Sequence, residues 1–284
     1  MFLRVFHRFS RTGRCAGALA LALALAALPA AAAPEALRIC ASEIEAPYSY
    51  KDGSGFENRI AEIVAAQMGR KADFVWSPRA AIYLVRDGLD KNECDVVMGL
   101  DTGDERVLTT RPYYRAGYVF VTRADRELSI DTWNDPRLQQ MTSIAMGYAS
   151  SAEAMMKKIG KYEDNANYVY SLTDFKSRRN QYIRVDPARM VNEVAQGKAD
   201  LAIAFAPEVA RYVKASTVPL KMQRVPADDT GTGDPIAFQF DQSMAVRKND
   251  RALLDALNAA LAAAAPQIQK VLSDEGIPVV PAAS

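Results

Sequence analysis

Histidine is almost missing from this sequence. The one histidine among 284 residues is His7, and it lies in an N-terminal segment that we expect to be removed. A mature chain without histidine has neither Ser-His-Asp nor Cys-His catalysis, no zinc or haem held by histidine, and not the commonest general base. No cluster of residues has metal-ligand spacing, and no glycine-rich phosphate loop follows a strand. We therefore predict no catalytic residue, no metal and no cofactor.

The first 32 residues have the pattern of a secretory signal peptide. Four arginines without an acidic residue precede an apolar run at Cys15–Leu28, and Pro29 and three alanines follow it. A basic segment, a short apolar core and an Ala-x-Ala exit are typical of such signals, and we place cleavage after Ala32. The run is short and rich in alanine for a membrane span, so a retained anchor is the less favoured alternative. We expect a soluble protein in the periplasm.

Charge of either sign is in little excess. The whole chain has 35 basic and 34 acidic residues, and removal of the four signal arginines leaves 31 basic residues and a net charge of −3. A mildly acidic chain without clusters of Lys and Arg is poorly suited to bind nucleic acid or an anionic membrane. Neither is predicted as a partner.

Cysteine is also scarce, and only Cys40 and Cys94 lie beyond the signal. In an oxidising compartment the pair can form a disulfide, and the alternative is two small buried apolar side chains. Cys40 falls late in one predicted strand and Cys94 at the start of another, an offset beyond the roughly 7 Å between Cα atoms that a disulfide spans. Both interpretations stay open, because a small shift of either strand limit closes the gap.

From Pro34 onward, apolar strands alternate with helical patterns, which indicates an α/β fold with a mostly parallel sheet. About 250 mature residues fit two lobes better than one small sheet. The predicted strands are Leu37–Ala41, Phe74–Trp76, Asp95–Leu100, Gly117–Thr122, Ser143–Met146, Tyr168–Tyr170, Asp200–Phe205 and Phe238–Val246. The predicted helices are Phe56–Met68, Ala81–Leu89, Ser151–Ile159, Pro187–Gln196, Arg251–Ala264 and Pro266–Gly276.

Motifs along the whole mature chain resemble the amino-acid-type periplasmic solute-binding proteins (family 3). The segments that carry this resemblance are Leu37–Ser42, Ala46–Gly53, Gly55–Glu57, Cys94–Leu100, Thr102–Arg106, Arg111–Tyr114, Gly197–Ala202 and Gln242–Lys248. The resemblance implies a two-lobed fold of type II, in which each lobe is a mostly parallel sheet flanked by helices. We expect lobe I at 33–122 plus 239–284 and lobe II at 123–238, with hinge crossovers near Thr122–Arg123 and Phe238–Gln239.

A narrower resemblance is to the solute-binding-like proteins of methanol-oxidation systems. It rests on Lys51–Glu62, Ala81–Asp87, Gly99–Gly103, Arg106–Arg115 and Gly117–Val121. It implies an accessory protein that recognises the pyrroloquinoline-quinone (PQQ)-dependent methanol dehydrogenase, or helps to mature or activate it. The partner is then this dehydrogenase or its assembly or electron-transfer components. The alternative is a binding protein of an ABC transporter for a small, polar, amino-acid-like solute.

The resemblance places Arg106 where the family binds the α-carboxylate of an amino acid, for which the planar guanidinium is well suited. The acidic residue that would hold the ammonium group is replaced by Ala206, and Glu208 is displaced into the first turn of a helix. Three interpretations of Arg106 stay open: a site for an anion or a partner's carboxylate, a solvated or capping loop residue, and a true amino-acid site.

Other residues are weaker candidates for ligand or partner binding. Tyr48, Glu57, Asp101 and Arg115 belong to the motifs above. Tyr48 and Tyr50 would line the cleft, and Tyr113 and Tyr114 either line it or pack in the lobe core. Arg178 and Arg179 lie in a basic segment, Leu172–Tyr182, that is inserted relative to the family; it contacts a partner or is simply solvated. Some proteins of this fold are dehydratases that use carboxylates and lysine, but we expect this chain not to be an enzyme.

Overall fold

The structure is a computed structural model that describes residues 35–173 and 183–281. Within them, no helix is both long and apolar enough to span a membrane. The strands are β1 (Leu37–Ser42), β2 (Ile44–Glu45), β3 (Ser49–Tyr50), β4 (Ala72–Ser77), β5 (Val96–Asp101), β6 (Leu108–Thr109), β7 (Tyr114–Arg123), β8 (Ile144–Met146), β9 (Leu201–Phe205), β10 (Leu220–Arg224) and β11 (Gln239–Val246). The helices are α1 (Phe56–Gln67), α2 (Pro136–Gln140), α3 (Ser151–Lys158), α4 (Tyr162–Ser171), α5 (Pro187–Ala195), α6 (Ala206–Ala215) and α7 (Arg251–Glu275).

Nine of the described strands form one continuous sheet. The order is β4-β1-β5-β11-β7-β9-β8, with β6 paired to β11 and β10 paired to β7. β1 is parallel to β4 and β5, and β8 is parallel to β9. β7 and β11, the two strands in the middle of the order, are antiparallel to their neighbours. The predicted α/β class with flanking helices is confirmed.

Strand β7 takes part in both halves of the molecule. Its residues Tyr114–Gly117 pair with β11, and Tyr118–Val121 pair with β9. We call the half with β1, β5, α1 and α7 lobe one and the half with β8, β9, α3 and α5 lobe two. Each lobe has its own buried apolar core, and the two-lobed fold is confirmed. The residue limits of the lobes stay a prediction; β7 changes its partner five residues before the predicted crossover near Thr122–Arg123.

One predicted strand, Tyr168–Tyr170, is wrong: these residues lie in helix α4. The Tyr-Val-Tyr triplet favours a strand by local propensity alone. Asn165 and Val169, one helical turn apart, are both buried, and Oδ1 of Asn165 accepts a hydrogen bond from the backbone N–H of Ile144 in β8. This buried contact requires the helical spacing, so tertiary packing overrides propensity.

The two predicted closing helices are a single helix, α7, with Pro266 inside it. Proline was expected to begin a new helix because it lacks the N–H for an i→i−4 bond. The apolar side chains before and after Pro266 lie on one buried face, which packs against α1. The continuous burial of this face offsets the one backbone hydrogen bond that Pro266 cannot donate.

The predicted helix Ala81–Leu89 is also irregular: a 3-10 turn at Ala81–Tyr83 is followed by a π turn at Val85–Leu89. The cause lies at Gly88, where an added β-carbon would clash with Sγ of Cys40. The backbone approaches the sulfur closely, and a wider turn accommodates it.

Cys40 and Cys94 form a disulfide, with their Cα atoms 5.4 Å apart. The predicted offset beyond 7 Å is wrong because Cys94 precedes β5. After the π turn the chain reverses direction, and the N–H of Glu93 bonds to Gly88 O. This reversal places Cys94 beside β1. The disulfide packs in a small core with Leu84, Leu89 and other apolar residues.

The double substitution Cys40→Ala/Cys94→Ala should lower the free energy of unfolding by about 2–4 kcal/mol, because the cross-link joins residues 54 apart and restricts the unfolded chain. Urea unfolding of the mature protein with and without a reductant measures the effect. The reductant should destabilise the wild type by a similar amount and leave the double variant unchanged. Coincident wild-type curves under both conditions would contradict this prediction.

Candidate functional site

The main cavity, with a volume of about 410 Å³, lies where the two lobes meet. Lobe one contributes residues from the end of β1, the β2–β3 hairpin, the start of α1 and β5. Lobe two contributes the turn Ala149–Ser151, which precedes and begins α3, and the end of β9. The residues used below are Glu45, Tyr48, Glu57, Gly99, Asp101, Tyr118, Phe205, Phe240 and Gln242.

Glu57 is the most buried carboxylate of this cavity, with 5% of its surface exposed. The sequence places it in the first turn of α1, after Gly55, whose missing β-carbon leaves space for the backbone of Tyr48. The hydroxyls of Tyr113 and Tyr114 donate to Oε1 of Glu57 at 2.7 and 3.4 Å. Burial raises the pKa of Glu57 to about 7, although the two tyrosine hydrogen bonds act in the opposite direction.

Gly99 in β5 makes room for this carboxylate. Its φ is +68°, a region that disfavours other residues, and an added β-carbon would lie 2.6 Å from each carboxylate oxygen of Glu57. The pairing of β5 with β11 shifts register close by, between Ser243 and Ala245. A glycine at this irregular point of the strand therefore creates the space that Glu57 occupies.

A second cavity of about 360 Å³ shares Glu45, Tyr118, Ala149 and Ser150 with the first. It adds Arg184 and Glu208, both from lobe two. Burial raises the pKa of Glu208 to about 7, and the positive charge of Arg184 opposes the increase. The two cavities together form a cleft that follows the boundary between the lobes.

Arg184 connects the two lobes across this cleft. Its guanidinium donates to the backbone oxygens of Ile44 and Ala46 at 3.2 and 2.9 Å and lies 3.3 Å from Oε1 of Glu45. All three acceptors belong to the loop and hairpin at the edge of lobe one. We call this group the Arg184 clasp. A guanidinium with several donors in one plane satisfies carbonyl and carboxylate oxygens together.

Most of the charged side chains that line the two cavities are acidic. Among the described lining residues, the only cation is Arg184, and it is already bonded in the clasp. The four carboxylates are Glu45, Glu57, Asp101 and Glu208. A cleft with this balance attracts cations and repels anions.

The structure brings together three of the predicted site residues, Tyr48, Glu57 and Asp101, in the main cavity. Tyr113 and Tyr114 pack in the lobe-one core behind Glu57, and Tyr50 is exposed. Arg178 and Arg179 lie outside the described residues.

Two predicted arginines lie elsewhere. Arg106 forms a two-bond contact with Asp104, the shorter distance being 2.6 Å, and 56% of its side chain is exposed. It lines a neighbouring cavity beside β5, which shares Ala81, Met98, Gly99 and Asp101 with the main cavity. Arg115 pairs with Asp241 at 2.8 Å, in another depression near the C-terminal residues.

Sequence reasoning missed Glu45, Arg184 and Tyr118 and noted Glu208 only for its favourable position in a helix. Arg184 belongs to no motif, and nothing local distinguishes it from other arginines. Glu45 offered one signal, since a charged residue directly before the Ala-Pro-Tyr loop of a predicted cleft is a candidate for the cleft wall.

The chain matches known proteins over most of its length. The family described as bacterial extracellular solute-binding proteins, family 3, matches residues 37–269. Protein MoxJ of Methylorubrum extorquens is 55% identical over 255 residues, which cover 88% of this chain and 84% of that protein. Protein MoxJ of Paracoccus denitrificans is 47% identical over 266 residues, covering 93% and 96%.

Solved structures agree with these matches. The crystal structure of MxaJ from Methlophaga aminisulfidivorans superposes with a TM-score of 0.82 at 51% identity, covering 86% of this chain and all of that one. The periplasmic binding protein XoxJ from Methylobacterium extorquens gives a TM-score of 0.64 at 25% identity, covering 87% and 100%. The narrower resemblance inferred from the sequence was to the MxaJ (MoxJ) group, and it is confirmed.

Replacement of Glu57 by glutamine should remove a pH dependence of stability. A carboxyl whose pKa is about 7 when folded and 4.5 when unfolded binds its proton more tightly in the folded state. Wild-type stability should therefore fall as pH rises from about 4.5 to 7, by about 3 kcal/mol for this one group. Urea unfolding of the wild type and Glu57→Gln across this range measures the difference.

The matched control for that experiment is Glu62→Gln, the same change on an exposed position of helix α1. It should follow the wild-type profile. If Glu57→Gln also follows the wild-type profile, the buried carboxyl of Glu57 does not titrate in this range, and the raised pKa assigned to it is wrong.

Substitution of Arg184 by alanine should loosen the contact between the lobes, because it removes all three interactions of the Arg184 clasp. Amide hydrogen exchange of the β2–β3 hairpin should become faster. Arg126→Ala is the control: Arg126 also donates to a backbone oxygen, that of Asp200, but both residues belong to lobe two. Equal exchange of the hairpin in the two variants would show that the clasp does not hold it.

Proposed function

The chain belongs to family 3 of the bacterial extracellular solute-binding proteins, and on this premise we propose that it is a periplasmic accessory protein of methanol oxidation. Its partner in this proposal is the PQQ-dependent methanol dehydrogenase, or a component that assembles it or carries its electrons. The protein recognises that partner, or helps it to mature or become active, and does not itself catalyse a reaction. The similarity to two MoxJ proteins over most of their length is the observation that carries the proposal.

The state of Arg106 supports recognition of something other than an amino acid. In the family this position binds a ligand carboxylate, but here the guanidinium is held by Asp104, and Arg106 does not line the main cavity. The position of the ammonium-binding acid is Ala206, a fully buried residue at the start of α6. Neither the carboxylate-binding position nor the ammonium-binding position is therefore suited to an amino acid. A site built on polar contacts loses much of its affinity when buried partners are missing.

The residues of the cleft support a binding role. After removal of the signal, the chain has no histidine to serve as a general base near neutral pH. The carboxyl of Glu57 is hydrogen-bonded to two tyrosine hydroxyls whose pKa values burial raises well above their usual range. Both hydroxyls therefore stay protonated at neutral pH, so this group is suited to hold a shape or a ligand.

One observation favours a second function. The 410 Å³ cavity between the lobes is of the size that small-molecule sites occupy. This favours the alternative of a binding protein for a small polar solute, delivered to an ABC transporter.

Binding of the mature protein to purified methanol dehydrogenase tests the first proposal. Interferometry at near-physiological salt should give saturable binding, which Arg178→Glu/Arg179→Glu should weaken at least tenfold if the basic segment contacts the enzyme. The control is Lys221→Glu/Arg224→Glu, the same reversal of two charges on exposed residues of β10, which should bind as the wild type does.

Arg106→Ala is measured in parallel, because an interface that uses a partner carboxylate at this position would lose affinity with it. Absence of binding to both the apo and the PQQ-loaded dehydrogenase would overturn direct recognition and favour the solute-binding alternative.

A further inference from the structure

The main cavity combines a buried acid with aromatic walls. Four aromatic side chains line it, and three of them are in mutual contact: Tyr118 lies 5.6 Å from Phe205 and 6.3 Å from Phe240, between ring centroids. The fourth, Tyr48, lies 5.2 Å from the ring of Phe56. Faces of aromatic rings carry partial negative charge and attract cations, most strongly where water is excluded.

The carboxylate of Glu57 has an oxygen available to a ligand. Oε1 accepts both tyrosine hydroxyls, whereas Oε2 accepts no hydrogen bond from the described residues. The carboxylate lies over Gly99, which lines the same cavity. A side chain that is 95% buried therefore retains a free acceptor at the cavity, where a donor of a ligand can bond to it.

The other two acids of the main cavity differ from Glu57 in pairing or in burial. Glu45 interacts with Arg184 and accepts a hydrogen bond from the backbone N–H of Ala81 at 3.0 Å. Asp101 is exposed and accepts a hydrogen bond from the side-chain amide of Gln242 at 2.6 Å. Of the two acids without a cationic partner among the described residues, Glu57 is therefore the buried one.

Among its described lining residues, the same cavity has no cationic side chain to pair with an anion. Its described lining includes no lysine or arginine, and Arg184 at its edge is held by the clasp. A ligand that carries a carboxylate would bring a second negative charge into a partly desolvated site that has no cation to receive it.

We propose that the 410 Å³ cavity binds a small organic ammonium ion that carries no carboxylate. The ammonium N–H groups donate to Oε2 of Glu57, and the alkyl groups lie against the rings of Tyr118, Phe205 and Phe240. A charge-assisted hydrogen bond gives this contact its strength, and the rings select for apolar substituents on the nitrogen. This ligand class is independent of whether the protein also recognises the dehydrogenase.

Isothermal titration calorimetry of the mature protein tests the proposal with n-butylammonium as the probe, at constant ionic strength. Three matched compounds separate the sources of affinity: butan-1-ol without charge, butyrate with the opposite charge, and alanine with both charges. We expect saturable binding of n-butylammonium, binding at least tenfold weaker for butan-1-ol and alanine, and none for butyrate. Binding of butyrate or alanine at equal affinity, or no binding of n-butylammonium, overturns the proposal.

Two substitutions locate the site. Glu57→Gln should weaken n-butylammonium binding at least tenfold, while Glu62→Gln, on the exposed face of the same helix, should not change it. Because Glu57 is buried, far-ultraviolet circular dichroism and a cooperative unfolding transition verify that the variant is folded. Phe240→Leu, at a partly exposed position, provides a second test and should weaken binding at least threefold. Unchanged affinity in both folded variants would exclude this cavity as the site.

Discussion

Strand β7 is the element on which both the fold and the site depend. Four of its residues pair with β11 and the next four with β9, so one uninterrupted strand takes part in both lobes. Tyr118 lies where the partner changes, and its ring contacts Phe205, Phe238 and Phe240. The residue at the junction of the lobes therefore also forms a wall of the cavity. Any change in the angle between the lobes alters the shape of the cavity at this residue.

Arginines of lobe two hold this junction from both sides of the cleft. The Arg184 clasp reaches the β2–β3 hairpin, and Arg211 of α6 bonds to Glu275 of α7 at 2.6 Å and to the backbone oxygen of Ser54. Each guanidinium meets a carboxylate and a carbonyl of lobe one, so its charge is neutralised locally. What remains in the cleft is the negative charge of Glu57 and Glu208, which burial keeps partly protonated near neutral pH. A cation that enters the cleft would lower the pKa of these carboxyls, because a nearby positive charge favours their ionised form.

Much of the fold could be predicted because its signals are local. Asp186, Pro187 and Gly197 mark a helix by its cap, its first residue and its end, and α5 has these limits to within two residues. The apolar run at Asp200–Phe205 predicts a buried strand, and every residue of β9 is buried. The failures occur where distant contacts decide the structure. Tyr168–Tyr170 is helical because Asn165 bonds to β8, and the turn at Val85–Leu89 is irregular because of a disulfide whose sulfur lies against Gly88.

The candidate site was less predictable because its charges come from segments far apart in the sequence. Arg184 and Glu45 are separated by well over a hundred residues, and only the packing of the lobes places them together. The motif that contains Arg106 predicts its position on the loop, but not that Asp104, two residues away, would hold the guanidinium.

The Arg184 clasp also connects the proposed partner-binding segment with the proposed ammonium site. The basic segment that ends at Tyr182 continues directly into Ile183 and Arg184, which line the second cavity. A partner bound at Arg178 and Arg179 would act on the Arg184 clasp through only a few residues of backbone. A cation beside Glu57 would act on the same clasp through Glu45, which lines both cavities. Two ligands that bias one contact must influence each other's affinity by the same factor. The cleft would then adjust recognition of a partner that binds outside it.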